Sequence, residues 1–147
     1  MDGIKSVERG DFIGRSSVVR KIRYGMPENV DLKYVTMDSR EANIDAVERA
    51  IKSAGVEQFD IIVIDGLYRH EMIDIALQRV AKGGIIICDN AEGYGFAEGF
   101  RDSGLKRVDF FGNAPGVVFA TCSCIYFDQH ADIFSADYHI PAIYKNH

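Results

Sequence analysis

The 147-residue chain has no basic surplus: 17 Lys and Arg stand against 22 Asp and Glu, for a net charge of -5. A phosphate backbone is held by cationic side chains, so this balance disfavours nucleic acid as the main partner. No apolar run approaches the roughly 20 residues that cross a bilayer. The longest, 61–64 and 83–88, have the length of strands, and no membrane association is expected. The opening MDGIKSVERGD is too charged for a secretory signal. Cysteine is scarce as well: Cys88, Cys122 and Cys124 supply neither a paired framework nor zinc spacing. Cys122 and Cys124, two apart in an apolar run, share one face if that run is a strand. The simplest reading is three small buried side chains in a reducing cytoplasm.

What is present is ordinary globular composition, 47% hydrophobic and 27% charged, with 14 Gly and 3 Pro. A chain of this size buries a core without disulfide or metal staples. Residues 4–8 and 32–37 read as strands. Residues 40–54 read as a helix, with Ile44, Val47, Ile51 and Ala54 at three- and four-residue steps and Gly55 in the C-cap position. Residues 59–64, a continuous apolar run apart from Asp60, suit a strand buried on both faces of a parallel sheet. Residues 71–82 read as a second helix, with Met72, Ile73, Ala76, Leu77 and Val80 toward the sheet and Gly83-Gly84 as its stop. Residues 85–88 form the next strand, 96–103 a short helix or turn, and 106–111 with 117–127 an antiparallel pair. The alternation predicts an α/β fold, mostly parallel with an antiparallel C-terminal strand pair. One domain is expected over 1–127, with 128–147 as an irregular tail.

In open parallel sheets, ligands bind beyond the carboxyl ends of the strands. The predicted strands end at Glu8, Asp38, Asp65 and Asp89-Asn90, which would bring four acids and an amide to one edge. Each is also explained by turn and cap chemistry. Together they suit two uses. A carboxylate past a strand accepts the hydroxyls of a ribose, and Asp65, Asp89 and Asn90 have the hard-oxygen composition of a Mg²⁺ site. His70, five residues past Asp65, is a candidate general base, since imidazole titrates near neutral pH. His130, His139 and His147 offer no ligand spacing. Arg15, Arg20, Lys21 and Arg23 read as one solvated helix face. Tyr94, Phe96, Phe110 and Phe111 are candidates for a pocket wall or for packing.

The stretch FDIIVIDGLYRHEMIDIALQRVAKGGIIICDN resembles the fourth strand, helix and fifth strand of class I S-adenosylmethionine-dependent methyltransferases. The downstream strand pair around GNAPG is similar to the antiparallel sixth and seventh strands of that Rossmann-like fold. The small-molecule O-methyltransferases are the nearest in feel, and the likeness covers roughly residues 4–127. It implies S-adenosylmethionine bound by Glu8 at the ribose, by Asp38 and Ser39 at the adenine, and by Asp65. It also implies Mg²⁺ on Asp65, Asp89 and Asn90, with His70 and Asp65 as catalytic residues in methyl transfer to a hydroxyl of a small-molecule acceptor.

One family feature is missing. Members open with a strand and a Glu/Asp-x-Gly-x-Gly turn, and this chain begins too late for it if Glu8 is the ribose acid. In the alternative alignment, VERGDFIGRSS with Gly10 and Gly14 takes that place. The 57 positions from Glu8 to Asp65 favour the former, because the family needs two βα units there. Two further readings follow. The chain is an inactive methyltransferase remnant, or a fragment of a longer frame, serving as a binding or oligomerisation module. Or it is an α/β enzyme of another family using the metal site alone. A missing strand would expose a sheet edge, so a homodimer through that edge is expected.

Overall fold

The protein is described here from a computed structural model that places residues 27, 29–113, 116 and 118–131, together with the backbone of 7–9. The glycine turn at Gly10 and Gly14, the basic segment with Arg15, Arg20, Lys21 and Arg23, and the tail with His139 and His147 lie outside the described residues.

The first unit is β1 (Val7–Arg9), β2 (Lys33–Val35) and α1 (Arg40–Ser53). β1 and β2 pair in parallel, with Glu8 opposite Tyr34. Glu8 is therefore inside its strand, one residue short of the end. Helix α1 follows the predicted pattern, and the structure adds Ser39 as its N-cap, the Oγ accepting from Ala42 N–H at 3.1 Å. Such a cap satisfies an N–H that has no intrahelical partner. Gly55 just beyond the helix takes φ +66°, the left-handed conformation that favours glycine. Asn43, buried in α1, donates to the Thr36 carbonyl at 2.7 Å and so ties the helix to the exit of β2.

The second unit is β3 (Phe59–Ile64), α2 (Met72–Arg79), β4 (Val80–Cys88), α3 (Phe96–Gly99), β5 (Lys106–Asn113) and β6 (Ala120–Phe127). Its sheet runs in the order β3-β4-β6-β5. Only β3–β4 is parallel; β4–β6 and β5–β6 are antiparallel. The fold is a small α/β domain with a mixed four-stranded sheet, and the expectation of a mostly parallel sheet is corrected in that respect.

Two boundaries also differ from the sequence reading. Helix α2 stops at Arg79, and the chain enters β4 at once. Phe59 pairs with Val80 while Ile61 pairs with Ile85, so the register shifts across the double glycine. A Cβ on Gly84 would lie 2.9 Å from the Asp60 carbonyl oxygen, and Gly83 has φ +78°. Gly83-Gly84 thus makes an irregularity within the strand, where only glycine fits, instead of ending the helix.

The core of this unit lies on one face of the sheet. Ile64, Ile86, Cys88, Cys122, Cys124 and Tyr126 meet Ile73 and Ala76 of α2 and Phe96 and Phe100 at α3. Each fully buried large apolar side chain there contributes about 1.5–3 kcal/mol. The Phe100 and Tyr126 rings stack with centroids 4.0 Å apart. All three cysteines are buried and unbridged, as their pattern predicts. The two-sided burial expected for the strand over 59–64 does not hold. β3 is the outer strand of its sheet, and Ile61 and Val63 are 60% and 61% exposed.

Candidate functional site

Parallel β3 and β4 deliver Asp65 and Asp89-Asn90 to the same edge, as the strand-end pattern predicts. What brings them together is Arg69, from the turn between β3 and α2. Its Nε donates to the Gly66 carbonyl at 2.7 Å, and one terminal nitrogen donates to the Asp89 carbonyl at 2.5 Å and to Asn90 Oδ1 at 2.8 Å. The other donates to Asp65 Oδ1 at 2.7 Å. The Asp89 carboxylate lies 3.7 Å from the same guanidinium and accepts from Ser123 Oγ at 2.9 Å. The guanidinium also stacks 4.6 Å from the Tyr94 ring centroid.

This arrangement is physically coherent. A planar fork of five N–H donors matches several oxygens at fixed angles, and a buried cation is tolerated when nearly every donor is used. Asn90 takes φ +50°, an uncommon conformation that Asn adopts more readily than most residues, and it turns the chain past β4. The Arg69 side chain is 8% exposed, whereas Asp65 is 61% and Asp89 41% exposed. The result is two solvent-facing carboxylates beside a buried cation.

The oxygens of Asp65, Asp89 and Asn90 therefore face a guanidinium. Seating Mg²⁺ on this set requires expelling Arg69 from four hydrogen bonds, so the residues as placed do not fit a divalent ion. Among the described residues, no group of three or more His, Cys, Asp and Glu side chains is arranged to hold a metal.

Of the remaining candidates, Asp38 and Ser39 make local bonds of their own. Asp38 accepts from Thr36 Oγ1 at 2.6 Å, and its N–H donates back to that oxygen at 3.3 Å. Ser39 caps α1. The side chain of Glu8 lies outside the described residues. Among the described residues, one ion pair links the two units: Arg40, next to Ser39, meets Glu71, next to His70, at 2.8 Å. His70 is exposed, and its ring lies against Gly95, where an added Cβ would stand 3.1 Å from Nδ1. Of the aromatic candidates, Tyr94 reaches the site through Arg69, and Phe96 belongs to the core. Phe110 and Phe111 are exposed on β5.

Behind the site, Cys88 immediately precedes Asp89 and pairs across the sheet with Cys124. The Cys88 thiol is pushed up, first by its hydrogen bond with Cys124 and then by burial, and the same bond pulls Cys124 down. Tyr126 is pushed up to about 12 by burial and by the neighbouring Cys124, against the pull of Arg107.

Sequence reasoning missed Arg69 and Ser123. The available signal for Arg69 was its place four residues after a strand-end aspartate, in the turn joining two strands that both end in acids. Ser123 gave none.

No protein-family model matches the chain, and no curated protein matches it. Among solved structures, the chain is similar to the X-ray structure of precorrin 8W decarboxylase, the product of gene MT0146 of Methanobacterium thermoautotrophicum. The identity is 18%, the match covers 86% of this chain and 69% of that one, and the TM-score is 0.47. A likeness at this level assigns no activity to this chain. None of these comparisons stands behind the methyltransferase resemblance. The reading as an S-adenosylmethionine-dependent O-methyltransferase is corrected accordingly, and its alternative as an inactive remnant finds no support.

Proposed function

We propose that the crevice beyond β3 and β4 binds a small hydroxylated molecule of the ribonucleoside type. The carboxylates of Asp65 and Asp89 would accept its hydroxyls, and Asp38 would serve as a further acceptor on the adjoining unit. The observation that carries this reading is the held but solvent-facing Asp65 carboxylate, 61% exposed yet fixed by the buried Arg69. A carboxylate whose direction is set in advance loses little freedom when it accepts a ligand hydroxyl, and hydrogen bonds to a charged acceptor are the stronger kind. The position at the carboxyl edge of a parallel strand pair is where α/β sheets bind ligands. The absence of a basic surplus favours a neutral or cationic ligand over a polyphosphate. Tyr94 and His70, flanking the cluster, supply a surface for a planar base.

Titration calorimetry with adenosine tests the reading. Saturable binding is expected, weaker by about tenfold in Asp65→Asn, since one charge-assisted hydrogen bond is worth ~1.5 kcal/mol. The amide keeps an oxygen for Arg69, so the fold is retained. 2′-Deoxyadenosine should bind less tightly than adenosine. A folded protein with no heat at millimolar adenosine, or an Asp65→Asn variant that binds as well as the wild type, defeats it.

A further inference from the structure

Three thiols lie on the core face of the sheet, and the ligand crevice uses none of them. Register sets Cys88 of β4 directly opposite Cys124 of β6. Both are fully excluded from solvent, and their side chains share a hydrogen bond. Directly opposed residues of an antiparallel pair have Cα atoms about 4.5–5.5 Å apart, within the roughly 4.4–6.8 Å that a disulfide spans. Cys122 is placed differently. It stands opposite Phe111 of β5 and two residues before Cys124. That makes it a diagonal neighbour of Cys88, at about 7–8 Å, too far for a bridge. Along its own strand, Cys124 is roughly 7 Å away with its side chain parallel. The Cys122 sulfur instead meets the Asp109 carboxylate at 3.7 Å.

We propose that Cys88 and Cys124 are a dithiol that hydrogen peroxide closes to a disulfide within the folded chain, with Cys122 left reduced. The three sulfurs differ in reactivity. The hydrogen bond from Cys88 pulls the Cys124 thiol down against the effect of burial, and Arg107 and Tyr126, bonded to each other at 3.0 Å, act in the same direction as Cys88. Cys88 is pushed up by that same bond, and Cys122 by burial and then by Asp109. The thiolate is the nucleophile, so Cys124 attacks first. Its sulfur takes one peroxide oxygen as the O–O bond breaks, giving a sulfenic acid and hydroxide. The Cys88 sulfur then displaces the hydroxyl from that sulfur and the S–S bond forms. The two sulfurs give up two electrons to the peroxide, which leaves with the two thiol protons as two waters. Burial selects the oxidant. Peroxide is scarcely larger than water, whereas a bulky disulfide cannot exchange with sulfurs that have no exposed surface. Cys88 and Cys124 adjoin Asp89 and Ser123, whose side chains bond at 2.9 Å, so the bridge ties β4 to β6 directly behind that pair.

Thiol counting on the reduced, folded protein tests the proposal. Hydrogen peroxide is added at neutral pH, catalase removes the excess, and an alkylating reagent in denaturant then labels every free thiol. Mass spectrometry is expected to show one label instead of three. Before labelling, the protein should be lighter by two hydrogens, with no cross-link between chains. Fragmentation of the tryptic peptides should place the bridge between Cys88 and Cys124 and the label on Cys122. Cys122→Ala is expected to form the bridge at the wild-type rate, and Cys124→Ala to form none. Should Cys124→Ala fail to fold, the wild-type peptide map decides by itself. Three labels after an exposure that oxidises the denatured chain overturn the proposal. So does added oxygen without a bridge, a bridge that includes Cys122, or one that forms only in denaturant.

Discussion

The two faces of the β3-β4-β6-β5 sheet are both built from aliphatic and small residues, and they have opposite fates. Under α2 and α3, Ile86, Cys88 and Cys124 are fully excluded from solvent. On the other side, Ile61 and Val63 of the outer strand β3 remain mostly exposed. Composition alone does not separate them, because a strand alternates its side chains between faces whatever lies above each. The difference is which face receives a helix. It teaches that an uninterrupted apolar strand reports a capacity for two-sided burial, and that the covering element is a separate matter.

The contrast can be broken by substitution. Ile86→Ala should cost about 3 kcal/mol, from lost transfer energy and a cavity that its tightly packed neighbours cannot close. Ile61→Ala should change stability by less than about 0.5 kcal/mol. Urea denaturation of the two variants measures the gap, and equal losses would mean that the second face is covered within a single chain.

Arg69→Ala comes next. It strands the Gly66 and Asp89 carbonyls and the Asn90 amide and should cost roughly 2–3 kcal/mol, with solvent around Asp65 and Asp89 limiting the loss. A loss below 1 kcal/mol would show that the strand ends hold their geometry without the guanidinium.

The packed face should also give a pH signature. Tyr126 ordinarily titrates at 10.0 and is pushed up to about 12 in the fold. The folded state therefore favours the neutral phenol. Its contribution, about 2 kcal/mol by linkage, is fully present below pH 10 and is lost as pH rises from 10 to 12. A phenolate absorbance titration should show one tyrosine lagging the exposed ones, and Tyr126→Phe should flatten the alkaline fall in stability. The smallest effect is expected away from the sheet. Ser39→Ala removes the cap of α1 and should cost about 1 kcal/mol, readable as a small drop in denaturation midpoint. A null result there would mean that the Asn43 bond to Thr36 holds the helix start by itself.

Much of the fold was legible. The α1 pattern, its Gly55 boundary, the extent of β3 and the antiparallel closing pair all follow from local periodicity and turn chemistry. The end of α2 was not, because Gly83-Gly84 reads equally as a helix stop and as a strand irregularity, and only pairing against Asp60 decides between them. The strand-end acids were legible as a set, but their use was not. Asp65, Asp89 and Asn90 look like ligands for a divalent ion when listed by residue type, while in space a side chain from the intervening turn supplies the cation. The DG, GG and DN punctuation that resembles a methyltransferase reflects how a strand, helix and strand begin and end, which many α/β chains share.

By itself, the sequence determined where helices and strands lie, which residues each strand turns to one side, and that acids close the parallel strands, because periodicity and turn preference are local properties of the chain. Tertiary structure alone decided that Arg69 fills the acidic edge and that one of two similar apolar faces becomes the core. Both outcomes depend on which distant segments meet, and no local pattern encodes that.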